Sequence, residues 1–256
     1  MTQSSSGNLP IRRMATFSSQ GNCPAQEDYC LIHQERGIFV IADGFGGPEP
    51  GRQAAKLGCE SVQSFLFKEA GDLEATLPFV LRQYFSLLGN VLFNAMLFAN
   101  QKINEGNRGK TIHEKGGASV LSGFIDGDLL ALANVGVCSA SLIRRGEKGA
   151  EKTNLVVPRS LSRLVNPFLK QPNPSQSIPL MALGMVGDLE PEIVEHRLKP
   201  GDWLILSTDG VPVELIDALV ALQSKDQDLN ESLGEFKKYF DSFQYQDNAL
   251  ILWVIF

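Results

Sequence analysis

Residues 37–47 read GIFVIADGFGG. Ile38 to Ile41 form an unbroken apolar run, the pattern of a strand buried on both faces. The run ends at one aspartate, Asp43, and three of the next four residues are glycine. A buried strand that delivers a single carboxylate onto so bare a loop calls for an explanation, and the rest of the chain supplies candidates.

Upstream, "DYCLIH" and "GIFVIA" are two β-rich runs separated by "QER", which suits a tight turn. Strands are expected from residue 15 to about 43, after a polar tail at 1–14. Downstream, Ala54, Ala55, Leu57, Val62, Phe65 and Leu66 recur at helical spacing, with Pro48 and Pro50 at the helix entry. A second helix is expected from about Leu77 to Asn104. Pro78 suits its first turn, and Leu81, Tyr84, Phe85, Leu88, Val91, Leu92, Ala95, Met96, Ala99 and Ile103 form its apolar stripe. Gly106 and Gly109 end it.

The remainder reads mostly as β. "GASVLSGFI" and "LLALANVG" flank "DGD", where Asp126 and Asp128 mark a hairpin turn. "SASLIRRG", "GDWLILSTDG" and "DNALILWVIF" are further strands, the last two holding Trp203 and Trp253 in core positions. Residues 146–179 are polar and carry five prolines, which reads as an irregular flap with a short helix near 159–166. Residues 211–241 read as helix, loop and helix. Strands, two long helices, strands, helices and a final strand argue for a layered α+β fold rather than βαβ units. One domain over 15–256 is expected.

The bulk numbers exclude other classes. In 256 residues the formal net charge is −6 and the pI about 5.2, so general binding to nucleic acid or to an anionic membrane is not expected. The N-terminus has no secretory pattern and no stretch is apolar enough to span a bilayer. Cys23, Cys30, Cys59 and Cys138 are scattered, which fits reduced thiols in a cytoplasmic protein. A zinc or redox pair at Cys23 and Cys30 lacks histidine partners at ligand spacing.

Three aspartates share one context. Asp43 follows "FVIA", Asp209 follows "WLILST", and Asp247 opens the final strand; Glu27 and Asp28 precede "YCLI". Each single Asp-Gly is also ordinary turn chemistry. If the strand ends converge, the carboxylates repel by several kcal/mol at about 4 Å in a partly buried site, which protons or cations would relieve. Mg²⁺ and Mn²⁺ prefer such oxygen ligands and lower the pKa of bound water.

"GNCPAQEDYCLI", "FVIADGFGG", "GGASVLSGFIDGDLLALANVGVCSASLIRRG", "ALG", "GDWLILSTDG" and "DNALILWVIF", in this order, resemble the metal-dependent serine/threonine phosphatases of the protein phosphatase 2C type (PPM). "ANQKI" falls near the end of the second long helix, as expected for that family. The resemblance covers about residues 15–256. It implies a four-layer sandwich, two packed antiparallel β-sheets flanked by pairs of α-helices, with a metal pair at one end. Asp43 would bridge two Mg²⁺ or Mn²⁺ ions, the Gly44 carbonyl would bind one, and Asp209 and Asp247 would complete the other. Glu27 and Asp28 would hold metal-bound waters. The substrate would be a phosphoserine or phosphothreonine protein, attacked by activated water, and a monomer is expected. His33, His113 and His196 would be surface residues.

Three positions depart from the family pattern. Cys23 stands where the first block, G-x-R-x-x-x-E-D, has its phosphate-gripping arginine. Val137 replaces the aspartate of "NVGDSR", and Val213, four residues after Asp209, replaces another. Those aspartates support a third metal in the family, so no third site is expected here. Arg12, Arg13 or Arg52 could grip phosphate instead. Phe45, where many relatives have His or Met, carries no weight. The alternative reading is a pseudophosphatase, a binding or scaffold protein on the same fold.

Overall fold

The structure is a computed structural model. It describes residues 11–69, 81–147, 149–167, 177–185, 187–225 and 228–256.

The chain builds two antiparallel five-stranded sheets. The first contains β1 (Arg13–Ser19), β10 (Ala249–Ile255), β9 (Trp203–Ser207), β6 (Ser139–Gly146) and β7 (Gly149–Val156), in that spatial order. The second runs β2 (Tyr29–His33), β3 (Ile38–Phe45), β4 (Gly117–Asp126), β5 (Leu129–Val135) and β8 (Glu192–Arg197). Helices α1 (Pro48–Glu69) and α2 (Leu87–Asn107) cover the second sheet, while α4 (Val213–Ser224) and α5 (Leu229–Asp241) cover the first. Short α3 (Leu161–Val165) follows β7.

Side-chain alternation in β3 assigns the layers. Ile38, Val40 and Ala42 pack under α1 and α2, whereas Phe39 and Ile41 join the core between the sheets. Leu204, Leu206, Leu250, Leu252 and Val254 enter that same inter-sheet core from the other side. Ile205, Ile251 and Trp253 face α4 and α5, with the Trp203 and Trp253 rings in tilted contact at 4.5 Å between centroids. Central strands therefore bury both faces, which explains why they read as continuous apolar runs rather than alternating ones. Each buried Leu, Ile or Phe contributes about 1.5–3 kcal/mol from removal of apolar surface from water.

The second long helix starts later than its apolar stripe suggests. Ser86 is its N-cap and accepts a hydrogen bond from the Gly89 amide at 3.2 Å. Leu81, Tyr84 and Phe85 precede the helix, and Leu77 and Pro78 lie outside the described residues. The Asn90 side chain bonds the Arg82 amide and the Arg82 and Phe85 carbonyls, folding that segment back onto the helix start. Within 146–179, residues 149–156 are not irregular; they form β7, which pairs with β6 across a tight turn. Edge strand β8 pairs with β5 in a stretch that no sequence signal marked. Strand β1 begins at Arg13, inside the stretch expected as tail.

His113 is exposed as expected, but His33 and His196 sit on strands β2 and β8 with a buried ring nitrogen each. The four cysteines are free. Among the described residues, no helix is long and apolar enough to cross a membrane.

Candidate metal centre

The carboxylates collect at one end of the inter-sheet core. Asp43 continues the face that Phe39 and Ile41 present to that core, and it lies opposite Ser119 on β4. Asp209 follows β9, and Asp247 precedes β10, which pairs antiparallel with β9, so the two loops meet. Glu27 and Asp28 precede β2, whose Tyr29 pairs with Ala42 beside Asp43.

Hydrogen bonds tie these loops from the two sheets together. Thr208 donates its hydroxyl to Asp28 Oδ2 at 2.8 Å and accepts the Leu250 amide at 2.9 Å. Asn248 is a second clasp. Its Oδ1 accepts the Glu27 amide at 2.7 Å, and its Nδ2 donates to the Gln20 and Ala25 carbonyls at 2.8 and 3.0 Å. The Asn248 amide in turn reaches Asp247 Oδ1 at 2.8 Å. Thr208 and Asn248 each adjoin a quoted aspartate, yet the sequence reading passed over both. Their signal was polar residues, 2% and 6% exposed, flanking apolar strands.

Glycines set the close approaches. A Cβ on Gly44 would lie 2.2 Å from the Gly51 carbonyl oxygen and 2.9 Å from that of Glu27. One on Gly210 would lie 1.9 Å from the Asn248 carbonyl oxygen. Any side chain at either position would push apart the segments that carry the acids.

The electrostatics are one-sided. Burial first, then repulsion from Asp209, Asp28, Asp247 and Glu27, pushes the Asp43 carboxyl well above the usual range. Asp28 is raised in the same way, burial leading, against a lowering contribution from Thr208. Asp209 is raised to about 6 by burial, with Asp247 adding and Ser177 opposing. The Ser177 hydroxyl faces Asp209 and, among the described residues, meets no partner at hydrogen-bond distance. Glu27 is raised by burial and by Asp247. Asp43, Asp209 and Asp247 keep an edge open to solvent, while Asp28 is buried.

The donor set suits a hard divalent cation. Among the described residues no hydrogen bond reaches the Asp43 carboxylate, and Asp28 Oδ1 is buried without a partner. Acids that repel one another at a solvent-open edge, with unsatisfied oxygens, are what oxygen-seeking ions neutralise. The acids are spaced more widely than a closed ligand shell: among the described residues, no three of His, Cys, Asp or Glu converge on one point. The residues fit the ion in the chemistry of their donors rather than as a closed cage.

Cys23 lies against this group. Its thiol donates to Asp247 Oδ1 at 3.1 Å, and burial followed by that bond pushes its pKa up to about 11. The side chain is therefore a neutral donor. Arg13, a candidate for gripping phosphate, bonds Asn230 at the far end of β1, and Arg12 and Arg52 are exposed. Val137 is buried at 1% exposure, and Val213 opens α4.

Solved structures share this architecture over almost the whole chain. The PPM Ser-Thr phosphatase MsPP from Mycobacterium smegmatis, solved with cacodylate, superposes with a TM-score of 0.71 over 96% of this chain and 98% of its own, at 17% identity. The fold is that of the PPM serine/threonine phosphatases. The Mycobacterium tuberculosis phosphatase PstP/Ppp matches at TM-score 0.69 and 21% identity, covering 95% of this chain and 97% of its own. The PstP catalytic domain in complex with two manganese ions matches at TM-score 0.66 and 19% identity, covering 95% and 98%. No sequence-family model matches the chain, and no curated protein matches it. The PPM fold is therefore kept at low sequence identity, with its two sheets and flanking helices.

Proposed function

We propose that the chain is a metal-dependent phosphoprotein phosphatase acting on phosphoserine and phosphothreonine. The observation that carries this reading is the gathering of Asp43, Asp209, Asp247, Asp28 and Glu27 at one end of a PPM fold, close enough to raise one another's pKa, with no cationic side chain among the charges that do so. Asp43, the Gly44 carbonyl, Asp209 and Asp247 would hold two Mg²⁺ or Mn²⁺ ions, with Glu27 and Asp28 orienting waters behind them. When bound, such ions supply a water acidic enough to act as nucleophile near neutral pH and stabilise charge on the phosphoryl oxygens.

The chain's own residues contribute position and polarity. Thr208 holds Asp28 against β9, which fixes the direction of its free Oδ1. Asn248 fixes the Glu27 backbone and the Asp247 side chain together. Val137 and Val213 offer no side-chain oxygen, so a third ion would find no carboxylate at either position.

Cys23, Val137 and Val213 also favour the second reading, a weak or inactive phosphatase that binds phosphoproteins. One experiment separates the two: hydrolysis of p-nitrophenyl phosphate and a phosphothreonine peptide with Mn²⁺, for wild type and Asp209→Ala. The phosphatase reading expects Mn²⁺-dependent turnover that Asp209→Ala removes. Absence of turnover in the wild type contradicts it and leaves the binding role.

A further inference from the structure

A cavity of about 490 Å³ opens beside the carboxylate cluster. Asp209 forms part of its wall, with Val213 on the first turn of α4, Ser177, and Arg163 from α3. Two cations line it, and they differ. Lys152 is neutralised by Asp217 at 3.1 Å. Arg163 has its Nε buried without a hydrogen-bond partner, and among the described residues its guanidinium forms no ion pair. The Ser177 hydroxyl, on a residue only 7% exposed, faces Asp209 and among the described residues has no partner at hydrogen-bond distance. The α4 N-terminus adds uncapped amides, because Pro212 at the N-cap supplies no side-chain acceptor. A carboxylate at position 213 would add negative charge to this wall; valine does not.

An unpaired guanidinium, a buried unbonded hydroxyl and a helix N-terminus in one cavity match the oxygens of a phosphate monoester dianion. We propose that Arg163 and Ser177 form the phosphate-binding subsite of this chain and hold the substrate phosphoryl group beside Asp209. They do so from the segment after β7, in a cavity that Cys23 does not line. This placement rests on the phosphatase reading above. It assigns phosphate recognition to a residue that sequence reasoning did not single out, in place of Arg12, Arg13 or Arg52.

The test uses the full chain with saturating Mg²⁺, and inorganic phosphate as the probe in titration calorimetry. Wild type binds phosphate. Arg163→Ala weakens binding by about tenfold or more, the loss expected for a charge-assisted bond. Arg163→Lys recovers part of it, keeping the charge but not the two-pronged geometry. Ser177→Ala weakens it about two- to tenfold. With p-nitrophenyl phosphate and Mn²⁺, Arg163→Ala raises KM by a similar factor. The Arg163 side chain makes no bond that holds the fold, so its melting curve stays that of wild type. Should Arg163→Ala fail to fold, Arg163→Lys and Ser177→Ala carry the comparison. Phosphate binding and KM unchanged in Arg163→Ala and Ser177→Ala overturn the proposal, as does a wild type that binds no phosphate. A wild type that binds phosphate through Arg163 yet hydrolyses nothing upholds the subsite and sinks the phosphatase reading. Turnover indifferent to Arg163 does the reverse.

Discussion

Strand β9 carries a buried acid at each end, and the two are treated oppositely. Before the strand, Asp202 is 1% exposed and fully matched. Arg144 grips it through Nε and Nη2 at 2.7 and 2.6 Å, and the Lys199 amide adds a bond at 2.8 Å. After the strand, Asp209 faces Asp247 and the other acids, and its pKa rises to about 6. A buried charge must be paired, protonated or bound to a cation. At one end the chain supplies the partner itself. At the other it gathers further negative charge, which raises free energy unless a cation arrives from solution. The first end ties β6 to the start of β9, and the second is where the proposed metal centre lies.

The contrast can be broken from either side, beginning with the largest effect. Asp43→Ala should reduce Mn²⁺-dependent hydrolysis of p-nitrophenyl phosphate by about 10²–10⁴-fold, as for loss of the apparatus that activates water. Its metal-free stability should not fall, which a thermal melt in chelator checks. Arg144→Ala should do the opposite. It leaves Asp202 buried without its partner and should cost about 2–3 kcal/mol, a value reduced from that of a fully buried pair because Arg144 is partly exposed. In a chain of this size that lowers the melting temperature by about 5–10 °C, with kcat per folded molecule unchanged.

A pH series sharpens the same comparison. The Asp209 carboxyl titrates at about 6 when folded and near 4 when unfolded, so the folded state binds its proton more tightly. This contribution is fully present below about pH 4 and is lost as pH rises through 6. In chelator, wild type should therefore lose melting temperature relative to Asp209→Asn between pH 4 and 7. A gap that does not change with pH contradicts the assignment.

Smaller effects follow. Asp28→Asn keeps the size of the side chain that Thr208 holds but removes its charge, and should weaken Mn²⁺ affinity about 10- to 100-fold by calorimetry. Cys23→Ala removes only a thiol donor to Asp247, so kcat/KM should change less than about fivefold.

Much of this layout was legible in the chain, for identifiable reasons. Strands β3, β9 and β10 read clearly because both faces are buried and the run is unbroken. Asp43, Asp209 and Asp247 stood out because a charge at the end of such a run is conspicuous. What escaped notice lacked that contrast. Strand β8 is an edge strand with mixed polarity, and β7 shows the solvent the polar residues that made it read as loop. The second helix starts at Leu87, later than its apolar stripe suggests, because Leu81 and Phe85 continue the apolar period before Ser86 caps it. Arg144 and Asp202 are 58 residues apart, and Thr208 and Asp28 are 180 apart, separations at which no local pattern indicates a partner. Arg163 stayed hidden because one arginine in a proline-rich stretch is unremarkable until the fold places it in the same cavity wall as Asp209.

The central claim is that the unmatched acids at the far end of β9 await a cation. It is tested most directly by the melting temperature at pH 7 in chelator and in saturating Mn²⁺, for wild type and Asp209→Asn side by side. Binding to the native state alone must stabilise it, by about 2.7 kcal/mol at a hundredfold excess over Kd. The account predicts that wild type melts several degrees higher in Mn²⁺ and that Asp209→Asn loses most of that shift. A wild-type curve that Mn²⁺ leaves in place would contradict it.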